Sequence, residues 1–102
     1  MNCNPIFDAW LPKKLGVNAI TLYPYILFAM QGDQVSKRLM RHELIHCAQI
    51  EKEGVIKFYL KYVFEYFKNR LKGMPHWKAY RSISYEVEAY KNEDNEFYFE
   101  GV

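Results

Sequence analysis

The spacing of apolar and polar positions changes character several times along the chain. Residues 1 to about 18 show no regular period and are broken by Pro5, Pro12 and Gly16, which predicts loop or irregular structure. The run "AITLYPYILF" that follows is rich in β-branched and aromatic residues and predicts a strand. Pro24 lies inside it. Proline donates no ladder hydrogen bond, so the strand is expected at a sheet edge or broken at a bulge. After the turn "QGDQ", Asp33 or Ser36 can cap a helix that runs to about Lys52, where Gly54 permits a stop.

A second helix is expected from about Val55 to Lys72. Lys57, Lys61, Glu65, Lys68 and Lys72 fall within one narrow arc, and aromatic and aliphatic residues occupy most of the remaining circumference. So wide an apolar arc predicts burial on more than one side. Gly73, Met74 and Pro75 then break the chain, and a third helix is expected from about Lys78 to Asn92. The acidic, aromatic tail from Glu93 is expected to fray or to add a short final strand. The elements predict an α+β fold, an edge strand or small sheet against three helices, with residues 1–102 forming one domain.

Composition narrows the function classes. Half of the residues are hydrophobic, which excludes a disordered chain. A net charge of +2, with the basic residues spread along the chain, gives no reason to expect nucleic acid as a partner. Cys3 and Cys47 are too few for a disulfide framework, and a bridge between them is not expected, so a reducing compartment is the simpler reading. The N-terminus "MNCNPIFDAW" has no basic segment followed by an apolar run, as a signal peptide would. The longest nearly apolar stretch, "AITLYPYILFAM", has 12 residues and an internal proline, too short to span a bilayer. A cytoplasmic location is expected.

Chemistry concentrates in "RHELIHCAQ", residues 41–49. His42 and His46 are i and i+4 on the predicted helix, so both imidazoles can reach one metal ion. Glu43 lies about 100° round from His42, close enough to act as a general base without binding the metal. Met40, Leu44, Cys47 and Ala48 recur at helical spacing and are expected to form a separate apolar side facing the core. Arg41 and Gln49 are candidates to support the ligands from behind. Chance would place this pentapeptide in a chain this short roughly a few times in a thousand. The bland reading is an amphipathic helix whose histidines are solvated or hydrogen-bonded in the core.

A third ligand is needed. His76 is the one further histidine, and it follows helix breakers. Glu86 and Glu88, in "SYEVEAY" on the predicted third helix, are better placed to complete a His₂Glu catalytic zinc site with one position left open. In that scheme the metal polarises a carbonyl and activates water, Glu43 moves the proton, and a positively polarised group meets the oxyanion. Candidates for that last role are Arg81, Tyr80, Tyr85 and His76.

The short-spaced H-E-x-x-H followed by a helical glutamate resembles the gluzincin metallopeptidases. The segment "EVEAY" is similar to the third-ligand helix of compact zincin families. That resemblance implies a zincin-like fold, one Zn²⁺ ion, Glu86 rather than Glu88 as the ligand, and a peptide or protein substrate. Those families often carry an aspartate where this chain has Tyr90, to orient a zinc histidine, and Tyr90 departs from the pattern. Residues 20–92 also resemble a family of short, uncharacterised bacterial proteins with zincin folds. In the gluzincin fold a strand borders the cleft and pairs with extended substrate, a role open to "ITLYPYILF".

Two rival readings stand beside the peptidase. One keeps the zinc in a catalytically inactive domain. The other is peripheral membrane contact, or a homodimer, through residues 55–71, since lysines on one stripe opposite aromatics are what interfacial helices carry. A helix buried in a small aromatic core is the more economical account of the same pattern.

Overall fold

The computed structural model describes residues 3–99. Its first part is not irregular: Asn4–Ile6 form β1 and Trp10–Leu15 form α1. Both are too short to show a period in sequence. Pro12 sits in the first turn of α1, where a helix needs no donor, and Gly16 closes it at φ 72.

"AITLYPYILF" is a hairpin rather than one strand. Ala19–Leu22 form β2 and Tyr25–Phe28 form β3, and the cis Tyr23–Pro24 bond lies in the turn between them. Pro24 therefore stands where no ladder donor is needed. The sheet order is β1-β3-β2, with β1 parallel to β3 and β2 antiparallel to it. β3 is central, and its Ile26 and Phe28 are fully buried. β2 is an outer strand.

α2 spans Lys37–Glu53, with Ser36 rather than Asp33 as its cap: the Ser36 hydroxyl accepts from the Leu39 N–H at 3.0 Å. Gly54, at φ 94, is the single residue between α2 and α3, Val55–Leu71. The expected third helix is two: α4, His76–Arg81, and α5, Ser84–Asn92. The break has a physical cause. Ile83 takes an extended conformation and is fully buried, while Glu65 of α3 accepts from both the N–H and the hydroxyl of Ser84 at 2.8 and 2.9 Å. Glu65 thereby holds the start of α5. The α+β expectation holds, with a three-stranded mixed sheet and five helices among the described residues. None of those helices is long and apolar enough to cross a membrane.

Three expectations fail here. Cys3 and Cys47 form a disulfide, with Cα atoms 6.4 Å apart, tying the chain ahead of β1 to α2. β1 brings Cys3 to α2 by pairing with β3, a long-range contact that no local pattern signals. The argument for a reducing compartment falls with it. On α2, of the four residues expected on the apolar core side only Cys47 is fully buried, Met40, Leu44 and Ala48 being half-buried. His42, Glu43, Ile45, His46, Gln49 and Ile50 are buried instead. Finally, α3 buries Phe58 and Asn69 but leaves most of its aliphatic and aromatic residues in solvent. Its core face packs Phe58, with half-buried Tyr59, Tyr62 and Tyr66, against Ile50, Ile83 and Tyr85.

Candidate metal centre

His42 and His46 project from one face of α2, and α5 brings Glu86 to meet them. Glu86 Oε1 lies 3.0 Å from His42 Nε2 and 3.1 Å from His46 Nε2. All three side chains are buried, and their ligating atoms lie within 4.8 Å of one another. The other Glu86 oxygen accepts from the Tyr62 hydroxyl at 2.6 Å, so one oxygen is turned to the histidines and one is held by protein.

The outer ring nitrogens are fixed too. His42 Nδ1 lies 2.8 Å from Glu93 Oε2, and His46 Nδ1 lies 2.9 Å from Gln49 Oε1. The Gln49 amide orientation follows from its other end, whose Nε2 donates to the Tyr85 carbonyl and to Glu88. With an acceptor behind each ring, Nδ1 carries the hydrogen and the neutral form presents an Nε2 lone pair inward. Two inward lone pairs beside a carboxylate call for a proton or a cation between them. The donor set, two imidazole nitrogens and one carboxylate oxygen, fits a divalent transition metal.

Electrostatics among the protein's own groups agree with this geometry. Burial opposes charge on Glu86, yet hydrogen bonds from His42, His46 and Tyr62 hold its carboxyl well below the usual range. Burial likewise opposes charge on His46, but Glu86 beside it raises the ring to about 8. His42 is also raised by Glu86, against burial. Glu43 is pushed up by burial, partly offset by the histidines and Thr21.

Glu43 and both histidines open onto a cleft of about 740 Å³, walled on one side by Ala19–Leu22. Thr21 of this outer strand donates to Glu43 Oε1 at 2.9 Å, linking strand and carboxylate. The Tyr59 hydroxyl caps part of the strand's edge: it donates to the Thr21 carbonyl at 2.9 Å and accepts from the Tyr23 N–H at 3.1 Å. Comparison with protein-family models, curated proteins and solved structures finds no match. The chemistry of the site therefore rests on its own residues.

The other sequence candidates divide. Glu88 is exposed and bonds Gln49 rather than joining the cluster. Tyr80 and His76 line the cleft, with His76 bonded to the Tyr66 hydroxyl at 2.8 Å. Tyr85 packs its ring on Phe58 in the core, and Arg81 lies over the Tyr90 ring, 4.1 Å from its centroid. Gln49 stands behind a histidine as expected, whereas Arg41 reaches the Glu93 carbonyl.

Three participants carry no role in the sequence reading: Glu93, Tyr62, and Thr21, which donates to Glu43. Glu93, expected in a fraying tail, stands 2.8 Å behind His42 Nδ1, while Tyr90 packs edge-on against His42, centroids 4.5 Å apart. The signal was available, because Glu93 is seven residues after Glu86 and so lies on the same helical face. Tyr62 had none, being one of several tyrosines on α3.

Proposed function

We propose that this protein is a zinc-dependent metallopeptidase that hydrolyses peptide bonds, with His42, His46 and Glu86 as ligands and Glu43 as general base. One observation carries the reading: both histidines turn pinned, buried Nε2 atoms onto Glu86 beside a second buried acid, Glu43, and the group opens on a cleft. Zinc, when bound, supplies a Lewis acid that polarises a carbonyl and acidifies water.

The chain's own residues account for the remaining roles. Thr21 orients the Glu43 carboxylate, and burial raises its proton affinity, the direction that suits a group that must accept and then return a proton. Glu93 and Gln49 hold the imidazoles in the ligating tautomer. Tyr62 occupies the second Glu86 oxygen, leaving one to ligate. An extended peptide can lie along β2 on the part of its edge that Tyr59 does not take. Tyr80 and His76 reach the cleft and are the candidates to face an oxyanion.

The inactive-zinc reading is less well supported. Structural zinc sites usually have four protein ligands, commonly cysteines. Among the described residues three converge here, and Cys47 is held in a disulfide. The test is elemental analysis and peptide cleavage for wild type and Glu43→Gln. About one zinc per chain in both, with turnover only in wild type, is expected. Loss of zinc in Glu43→Gln would make Glu43 a ligand rather than a base. Zinc in both with no cleavage of any peptide would favour the inactive domain.

A further inference from the structure

α3 carries an exposed apolar face that the metal centre leaves unused. Ile56, Leu60, Val63, Phe64, Phe67 and Leu71 are all exposed, from 49% at Val63 to 90% at Leu71. At 100° per residue they fall within an arc of about 100°, a continuous stripe along a helix about 25 Å long. Phe58, Tyr62 and Asn69 project from the opposite side into the protein, so the stripe faces directly away from the body of the fold.

Charge says what covers it. Lys57, Lys61 and Lys68 border one side of the stripe and Arg70 the other, all exposed. The helix has one acid, Glu65, which lies on the far side of the lysine row and is engaged with Ser84. The helix therefore carries a net +3 in a chain whose total is +2. Apposing two copies of this face would set cationic rims against each other with no acid of the stripe to answer them. A surface of anionic lipid headgroups over hydrocarbon answers both parts: headgroups take the cations, and acyl chains take the apolar stripe.

We propose that the solvent face of α3 docks this protein peripherally on anionic lipid bilayers, with the helix lying in the plane of the interface. The docking is independent of the metal centre. Phe58, Tyr59 and Tyr62 line the cleft from the opposite side of the same helix, so docking leaves the cleft on the side of α3 away from the bilayer.

The test is co-sedimentation of the full, disulfide-bonded chain with phosphatidylcholine vesicles containing or lacking phosphatidylserine. Binding is expected only with phosphatidylserine, and it should weaken as salt is added. The triple variant Leu60→Gln, Phe64→Gln, Phe67→Gln should lose about tenfold or more in partitioning while circular dichroism stays unchanged. Lys68→Gln, which leaves the apolar stripe intact and removes one positive charge, should weaken binding about fivefold. Failure to sediment with anionic vesicles would overturn the proposal, as would equal binding to neutral ones. So would full binding by the triple variant, or a dimer in sedimentation equilibrium that the triple variant abolishes without any vesicle binding.

Discussion

α2 and α3 are equally long, 17 residues each, and only Gly54 separates them, yet they treat polarity in opposite ways. α2 buries two histidines, a glutamate and a glutamine; α3 exposes six aliphatic and aromatic residues along one stripe. The difference shows what burial requires. Each buried polar group of α2 meets a named partner from β2, α2 itself, α5 or the residue just beyond it, so its desolvation is offset. Among the described residues the α3 stripe has no such neighbour, and it is the surface that the proposed lipid docking would cover. Polar residues inside and apolar residues outside are the two features of this chain that folding alone does not account for.

The comparison breaks most sharply at Glu86. Glu86→Ala should abolish metal binding. It should also destabilise the metal-free protein by about 3–5 kcal/mol, because two buried imidazoles and Tyr62 lose their shared acceptor. Glu88→Ala should keep the metal. Elemental analysis and urea unfolding measure both, and retention of metal by Glu86→Ala would remove it from the ligand set.

Next in size is the covalent tie that α2 has and α3 lacks. The Cys3–Cys47 bridge closes a loop with a sequence separation of 44 residues, for which chain entropy predicts about 4 kcal/mol. Cys3→Ser should therefore lower stability by about 2–4 kcal/mol while leaving the ligating face of α2 in place. A change smaller than about 1 kcal/mol would mean that β1 holds its position without the bridge.

How much of this was legible depended on the range of the signal. The i, i+4 histidines and the adjacent Glu43 stand on one helix, and Glu86 was selected over Glu88 by resemblance, so the residues that the structure clusters were named in advance. The hairpin was hidden because the β-propensity of "AITLYPYILF" runs on through its turn, and only Pro24 marks the bend. The disulfide was hidden because it depends on β1, three residues paired across the sheet. Burial on α3 was misjudged for a related reason. A wide apolar arc states what a helix prefers to cover, not whether a chain of 102 residues has enough other elements to cover it.

A smaller effect comes from the residues behind the ligands. Glu93→Gln weakens the acceptor behind His42, and metal affinity should fall about 10–100-fold without loss of fold, read by competition with a chelator. pH probes the same balance. The metal-free His46 is raised from 6.5 to about 8, so its contribution is fully present below 6.5 and is lost as pH rises through 8. Glu86 is depressed, so its contribution is present above 4.5 and is lost as pH falls toward its folded value. Stability without metal should therefore fall as pH drops below 4.5 and Glu86 is protonated, and fall again as pH rises from 6.5 through 8 and His46 loses its proton. His42 and Glu43, both also raised, lose their contributions in the same upward direction. Metal affinity should rise over that same upper interval, because bound protons must leave the imidazoles. Unfolding and metal titrations across pH measure the two opposed slopes.

The smallest expected effect sharpens the comparison by being nearly nil. Phe64 and Phe58 are both phenylalanines on α3, but Phe58 is packed among Ile50, Tyr62 and Tyr85 while Phe64 stands in solvent. Phe58→Ala opens a cavity in the core and should cost about 3–5 kcal/mol. Phe64→Gln removes no contact made by burial, and stability should change by less than about 0.5 kcal/mol in urea unfolding. A neutral Phe64→Gln means that the fold does not need the phenylalanine there, and the same reasoning extends to Leu60 and Leu71. A loss of several kcal/mol would instead mean that the stripe is covered within a stable assembly of this chain, and the contrast between the two helices would disappear.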